Sequence, residues 1–96
     1  MDLKKLKNDL EAIFQSIQGH TDHGEMPLEQ EVSIFVRLTV QMQNLADDEW
    51  IDECIDFTQL ANQLLHAVKK GQVQDSILLV ESLSDAKSFC HRTFRD

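Results

Sequence analysis

The chain has 96 residues, which is enough for one domain with a single hydrophobic core. Its formal net charge of −8 disfavours partners such as nucleic acid or an anionic membrane surface, because both require clustered cations. Three Gly, one Pro and no Tyr, beside abundant Leu, Ile, Gln, Asp and Glu, favour an all-helical protein.

The first residues do not have the pattern of a signal peptide. Met1–Asp9 mixes Leu with Lys and contains no apolar h-region, and no stretch approaches the roughly 18 apolar residues of a membrane-spanning helix. We therefore expect a cytoplasmic protein that has no contact with a membrane. In that compartment the two cysteines are expected to be thiols rather than a disulfide.

Two amphipathic patterns predict the first two helices. Apolar residues at spacings of three and four indicate a helix from about residue 3 to residue 18, which we expect Gly19 to end. The second helix is predicted from about residue 27 to residue 45, with Pro27 in its first turn, where a missing N–H costs little. The two apolar stripes are Leu3, Leu6, Leu10, Ile13, Phe14 and Ile17, and then Leu28, Val32, Phe35, Val36, Thr39, Met42 and Leu45.

Two further stripes predict a third helix at about residues 48–70 and a fourth at about residues 72–94. Asp47 is the expected N-cap of the third helix, and Gly71 is expected to end it as a left-handed C′ residue. The stripes are Trp50, Cys54, Phe57, Ala61, Leu64 and Val68, and then Val73, Ile77, Val80, Leu83, Ala86, Cys90 and Phe94.

Four amphipathic helices with short connections predict a single domain over residues 1–96, an antiparallel up-down-up-down four-helix bundle. In that topology the start of the first helix, the turn around Asp47 and the end of the fourth helix lie at one pole. That pole should contain Leu6, Cys54 and His91, whereas His66 should lie near the other.

The end of the fourth helix contains a partial haem-attachment motif. Cys90 and His91 are followed by Phe94 and Arg95 at helical spacing. In a complete C-x-x-C-H motif two thiols bond the haem vinyl groups and the His ligates the iron. The first of these cysteines would stand at position 87, which is occupied by Lys87.

This segment resembles the last helix of the cytochrome c′ family, which ends in C-x-x-C-H-x-x-[YF]-R. The related soluble b-type cytochrome has the His and the aromatic-Arg ending without either thiol, and holds its haem non-covalently. The segment is also similar to the small bacterial domains called XXXCH after this degenerate motif. The helix–Gly–helix turn at 67–73 looks like the turn before the last helix of the cytochrome c′ family.

The resemblance implies a cytochrome c′-like bundle that binds haem without a covalent bond. His91 would be the axial ligand of the iron, and Leu6 would face the opposite side of the haem. Because Leu cannot ligate iron, the sixth position would be open to a small gas molecule. Lys87 or Arg95 would pair with a haem propionate.

The main alternative is a cofactor-free interaction or regulatory bundle. It could be a homodimer, because a bundle this small gains stability by burying more surface. A weaker alternative is a histidine phosphotransfer domain, since His66 is followed by Lys69 and by Gly71, one residue later than in the H-x-L-K-G motif.

Other chemistry is less well supported by the sequence. Metal binding by His20 and His23 would lack a third ligand nearby, and Cys54 with Cys90 and His91 is a slightly better metal set. No phosphate loop, nucleophile elbow or convergent acid–base pair is present, so we predict that the protein is not an enzyme.

Overall fold

The structure is a computed structural model that describes residues 3–93 and, among them, the side chains of residues 4–87. The described chain forms four α-helices and no strand. Their bounds are α1 Leu3–Asp22, α2 Glu29–Asn44, α3 Ile51–Lys69 and α4 Val73–Thr93. The helices pack into a compact four-helix bundle, which confirms the predicted fold class.

Helix α1 continues past Gly19, so the prediction that Gly19 ends it is wrong. Gly24 has a φ of 73° and is the residue that ends this helix. The Glu25 N–H donates to the His20 carbonyl at 2.9 Å, and the Gly24 N–H donates to the Thr21 carbonyl at 3.0 Å, which together form a Schellman motif. A Gly inside a helix costs only about 1 kcal/mol relative to Ala, which is too little to stop the helix.

Helix α3 begins three residues later than predicted. The Trp50 N–H donates to the Asp47 carbonyl at 3.1 Å, so residues 47–50 form a separate turn. Trp50 is the N-cap, and its side chain does not cap the backbone N–H groups of the helix. Asp47 is therefore not the cap. Asp52 and Glu53 in the first turn supply the negative charge that suits the helix N-terminus.

Gly71 ends α3 as predicted. Its φ is 72°, its N–H donates to the Val68 carbonyl, and the Gln72 N–H donates to the Ala67 carbonyl at 3.0 Å. This second Schellman motif turns the chain into α4 within three residues. Pro27 was predicted in the first turn of α2, but it precedes the N-cap Leu28.

The core is a continuous cluster to which all four helices contribute. Three phenylalanines form its centre: the ring centroids of Phe14 and Phe35 lie 5.5 Å apart, and those of Phe35 and Phe57 lie 5.7 Å apart. These separations suit the tilted and edge-on arrangements that aromatic pairs prefer. The other core residues are Leu6, Leu10, Ile17, Val32, Ala61, Leu64, Val68, Val80 and Leu83.

The predicted stripes are right in the middle of each helix and wrong at three ends. Leu28, Leu45 and Val73 are exposed: the first two are the N-cap and C-cap of α2, and Val73 is the first residue of α4. Ser76 was not predicted in the core, yet its side chain is fully buried. Its hydroxyl donates a hydrogen bond to the Gln72 carbonyl at 2.8 Å. That hydrogen bond satisfies the polar group without water.

Each helix packs against its neighbours in the chain, and α4 also packs against α1. Among the residues that the structure describes, the α1–α4 interface is the sparsest of the four. Helices α3 and α4 must be antiparallel, because α3 is 19 residues and so about 28 Å long, and a three-residue connection reaches only about 14 Å. The complete up-down-up-down order stays a prediction. Across the described residues, no helix is long and apolar enough to span a membrane.

Candidate functional site

The structure describes the predicted site residues to different extents. Leu6 and Lys87 have described side chains, whereas Cys90 and His91 are placed only by the backbone of α4. Phe94 and Arg95 lie outside the described residues. The site is therefore built from the part of α4 that precedes Cys90 and from the α1 residues that contact it.

Four polar side chains line the contact between α1 and α4. The Gln18 Nε2 donates to the Ser84 Oγ at 3.3 Å, and the Lys87 Nζ donates to the Glu11 Oε1. We call this line of four residues the α1–α4 seam. Glu11 precedes Gln18 on α1, whereas its partner Lys87 follows Ser84 on α4. This reversed order is that of antiparallel helices. The Cys90–His91 end of α4 therefore extends toward the start of α1.

Lys87 has two partners in the seam. Besides its ion pair with Glu11, its Nζ lies 5.4 Å from the centroid of the Phe14 ring, within the range of a cation–π interaction. The Lys87 side chain is 25% exposed and that of Glu11 is 40% exposed, so solvent screens the pair. The residue that replaces the first motif cysteine therefore holds α4 against α1.

His91 lies at the next position along the same edge of α4. Ser84, Lys87 and His91 follow one another at spacings of three and four, so they share one face of the helix. On α1, Lys7 lies one turn before Glu11 and is partly buried. The register of the seam therefore places His91 at the level of Leu6 and Lys7.

Leu6 is the buried apolar residue next to Lys7 at the start of α1. Its side chain is 2% exposed and belongs to the core cluster. Leu has no atom that could ligate a metal, so this side chain forms an apolar wall. The partly buried Lys87, the apolar side chain of Leu6 and the helix position of His91 thus belong to the same end of the bundle.

Comparisons with protein-family models, curated proteins and solved structures find no match for this chain. Its function must therefore be inferred from its own residues.

Sequence analysis does not single out three of the four seam residues. Glu11, Gln18 and Ser84 are polar positions beside the apolar stripes, and many polar positions of this chain fit that description. Glu11 and Lys87 are 76 residues apart, and no local pattern indicates which carboxylate a distant Lys will meet. Only the packing of α1 against α4 selects these partners.

The two histidines of the α1 end have separate partners. The His20 Nε2 lies 3.5 Å from the Glu31 Oε1, whose other carboxylate oxygen accepts a hydrogen bond from Ser16. The His23 Nδ1 lies 2.7 Å from the Gly19 carbonyl oxygen. Among the described residues no group of three or more potential ligands could hold a metal ion.

A second concave surface lies between α3 and α4. It is a shallow, open groove lined by His66, amide side chains such as Asn62 and Gln63, and the exposed Leu78. His66 is exposed in the last turn of α3, and Gly71 is the C′ residue of that helix. The Gly therefore has a structural role that does not require phosphotransfer.

Proposed function

We propose that this protein binds haem non-covalently at the Cys90–His91 end of the α1–α4 seam and has no catalytic activity of its own. The observation that supports this most is the ion pair of the partly buried Lys87 with Glu11 across the seam. His91 follows Lys87 one helical turn later in the sequence, so we expect it near the buried Leu6. These are the three types of group that a b-type site needs: an imidazole, a cation for a propionate and an apolar wall.

Two of the proposed site residues, Leu6 and Lys87, have described side chains, and their chemistry suits such a group. His91 would ligate the iron through its neutral imidazole. Leu6 would form the apolar wall. Haem held by one His, with no second ligand from the protein, supplies an iron atom that binds small gas molecules. Lys87 would neutralise a propionate, and Arg95, which lies outside the described residues, stays a predicted partner of the second one.

Binding would require Lys87 to exchange its partner. In the structure its ammonium group is paired with Glu11, and a propionate would have to displace that carboxylate. The exchange costs little, since both are carboxylates and a screened ion pair of this kind contributes at most about 1 kcal/mol.

The second proposal is a cofactor-free interaction module, which includes the homodimer. The observation that favours it is the groove between α3 and α4, where Leu78 is 58% exposed among amide side chains. A concave surface lined by apolar side chains together with a few polar groups is a common form of binding site. This groove is a different surface from the seam, so the two proposals can be separated.

Titration with haemin separates them. Purified, reduced protein is titrated with haemin and followed by absorbance in the Soret region, together with the variants His91→Ala and His66→Ala. The proposal predicts saturable one-to-one binding by the wild type and by His66→Ala, and loss of the saturable Soret change in His91→Ala. His66 is the matched control because it is an exposed His on another surface.

Two results would contradict the haem proposal. One is the absence of a saturable Soret change in the wild-type protein. The other is equal binding by the wild type and by His91→Ala when circular dichroism shows both to be folded. Either result would leave the interaction module as the better proposal.

A further inference from the structure

One side of α3 is exposed along the whole length of the helix. Its residues follow one another at spacings of three and four, so they lie on one face. The packing of the bundle leaves this side of α3 uncovered, and we call it the α3 face. Its exposed residues are Asp52, Asp56, Gln59, Asn62, Gln63, His66, Lys69 and Lys70.

The α3 face is acidic at its start, uncharged in its middle and basic at its end. Asp52 and Asp56 lie in the first two turns, Lys69 is the last helical residue and Lys70 is the C-cap. Residues 57–68 contain no Asp, Glu, Lys or Arg, in a chain in which 27% of the residues are charged. The charged ends suit the helix dipole, but the dipole does not require an exposed middle without charge.

The uncharged middle of the α3 face borders the groove between α3 and α4. Asn62, Gln63 and His66 line the groove from α3, and Leu78, which is 58% exposed, lines it from α4. Depletion of charge at the centre is typical of a protein–protein interface. Two copies of a chain with a net charge of −8 repel each other, so they can approach most closely where charges are absent.

Helix α4 does not have the same distribution of charge. Between residues 73 and 86 its charged residues are Asp75, Glu81 and Asp85, without a cation among them. Two α4 helices side by side would bring carboxylates together. The α3 face has both signs of charge at opposite ends, so it is complementary to a second α3 face that runs antiparallel to it.

We infer that a second copy of this chain covers the groove, in a two-fold homodimer whose two α3 helices pair antiparallel. With the two-fold axis level with Asn62 and Gln63, Asp56 and Lys69 are equally far from the axis along the helix. Asp56 of each copy then meets Lys69 of the other copy. This inference rests on the second proposal above, in which the groove is an interaction surface, and does not depend on haem.

Reversing one charge should weaken the dimer at both ends of the interface. Asp56→Lys brings two lysines together twice, and Lys69→Glu brings two carboxylates together twice. Each variant should raise the dimer dissociation constant by at least about 10-fold, because two attractive pairs become two repulsive ones. Asp56→Lys should do so although it brings the net charge of the chain closer to zero.

A mixture of the two variants tests the two-fold arrangement itself. In the heterodimer the new lysine of one variant faces the new glutamate of the other, and the native Asp56 and Lys69 face each other. An equimolar mixture should therefore associate about as tightly as the wild type, whereas each variant alone should not. The matched control is Asp48→Lys, which makes the same change of charge at an exposed loop residue outside the α3 face and should not weaken the dimer.

The measurement is sedimentation equilibrium of haem-free protein over a range of concentrations at one ionic strength. The mass of the wild type should rise from 11.1 kDa to twice that value, and circular dichroism checks that each variant is folded. Three results would overturn the inference: a wild type that is monomeric at about 1 mM, single variants that dimerise as tightly as the wild type or no less tightly than Asp48→Lys, and a mixture no tighter than its components. A monomeric wild type would exclude the homodimer but not an interaction module, whose partner would then be another protein.

Discussion

At the scale of single residues, Lys87 belongs both to the partial haem-attachment motif and to the contact between α1 and α4. A complete haem-attachment motif would have a thiol there, and this chain has an ammonium group that pairs with Glu11 and lies over the Phe14 ring. The presence of a Lys can be read from the sequence, but its partners cannot. They depend on which faces of α1 and α4 meet, and that is decided by the whole core.

Replacing Lys87 with Met should weaken the α1–α4 contact. Met keeps most of the aliphatic stem but removes the charge, so we expect the free energy of unfolding to fall by about 0.5–1 kcal/mol, a modest loss because both partners are partly exposed. Urea denaturation of Lys87→Met, of Glu11→Gln and of the double variant gives the coupling energy.

The coupling should be favourable at low ionic strength and smaller at high salt, because solvent ions screen a partly exposed pair. A coupling energy of zero at low salt would show that the contact does not stabilise the bundle. The comparison with Glu11→Gln is needed because Lys87→Met also removes the contact of the charge with the Phe14 ring.

At the scale of elements, the number of helices and their apolar faces were predictable because a period of 3.6 residues extends through each segment. The helix ends were less predictable. Gly19 and Gly24 are both reasonable terminators in the sequence, and only Gly24 has the positive φ and the pair of backbone hydrogen bonds of a helix end. Helix propensity ranks residues as helix terminators. The position at which a helix ends also depends on where the following loop must enter the next helix.

The three glycines should respond differently to alanine. Gly24 and Gly71 have φ values of 73° and 72°, where a Cβ is strained even in open space, so Gly24→Ala and Gly71→Ala should each lower the free energy of unfolding by about 1 kcal/mol. Gly19 lies within α1 with nothing near its added Cβ, so Gly19→Ala should raise that free energy by about 0.5–1 kcal/mol.

Urea denaturation of the three variants measures these changes on one scale. The sign for Gly19 is decisive, because a helix that ended there would lose stability on substitution by alanine, as the other two do. A destabilised Gly19→Ala variant would therefore contradict the described end of α1.

At the scale of the whole molecule, the sequence predicts a helical bundle and its core but only half of the candidate site. The stripe positions Phe14, Phe35 and Phe57 follow from periodicity and lie in the core. The up-down order predicts a shared pole for Leu6 and His91. The polar seam does not follow, because it depends on pairing between helices at opposite ends of the chain. The partial motif indicates that the site is near the end of the fourth helix. The seam indicates that it is on the side of that helix that contacts α1.

The charge distribution supports the same end. Six of the nine cations in the chain, Lys4, Lys5, Lys7, Lys87, Arg92 and Arg95, belong to the start of the first helix or to the end of the fourth and the residues after it. Clustered cations are the feature by which a protein attracts an anionic ligand, and in the proposed account these residues would serve that purpose. The two propionates of a haem are ligand groups of this kind.

The most direct test of the proposed binding end is the location of a bound porphyrin. Zinc protoporphyrin is diamagnetic and takes one axial His, so its titration into isotope-labelled protein can be followed by amide chemical shifts. The account predicts saturable shifts concentrated at residues 4–11 and 84–93, all of them lost in His91→Ala. Shifts centred on the α3–α4 groove around His66, or shifts that persist in His91→Ala, would contradict it.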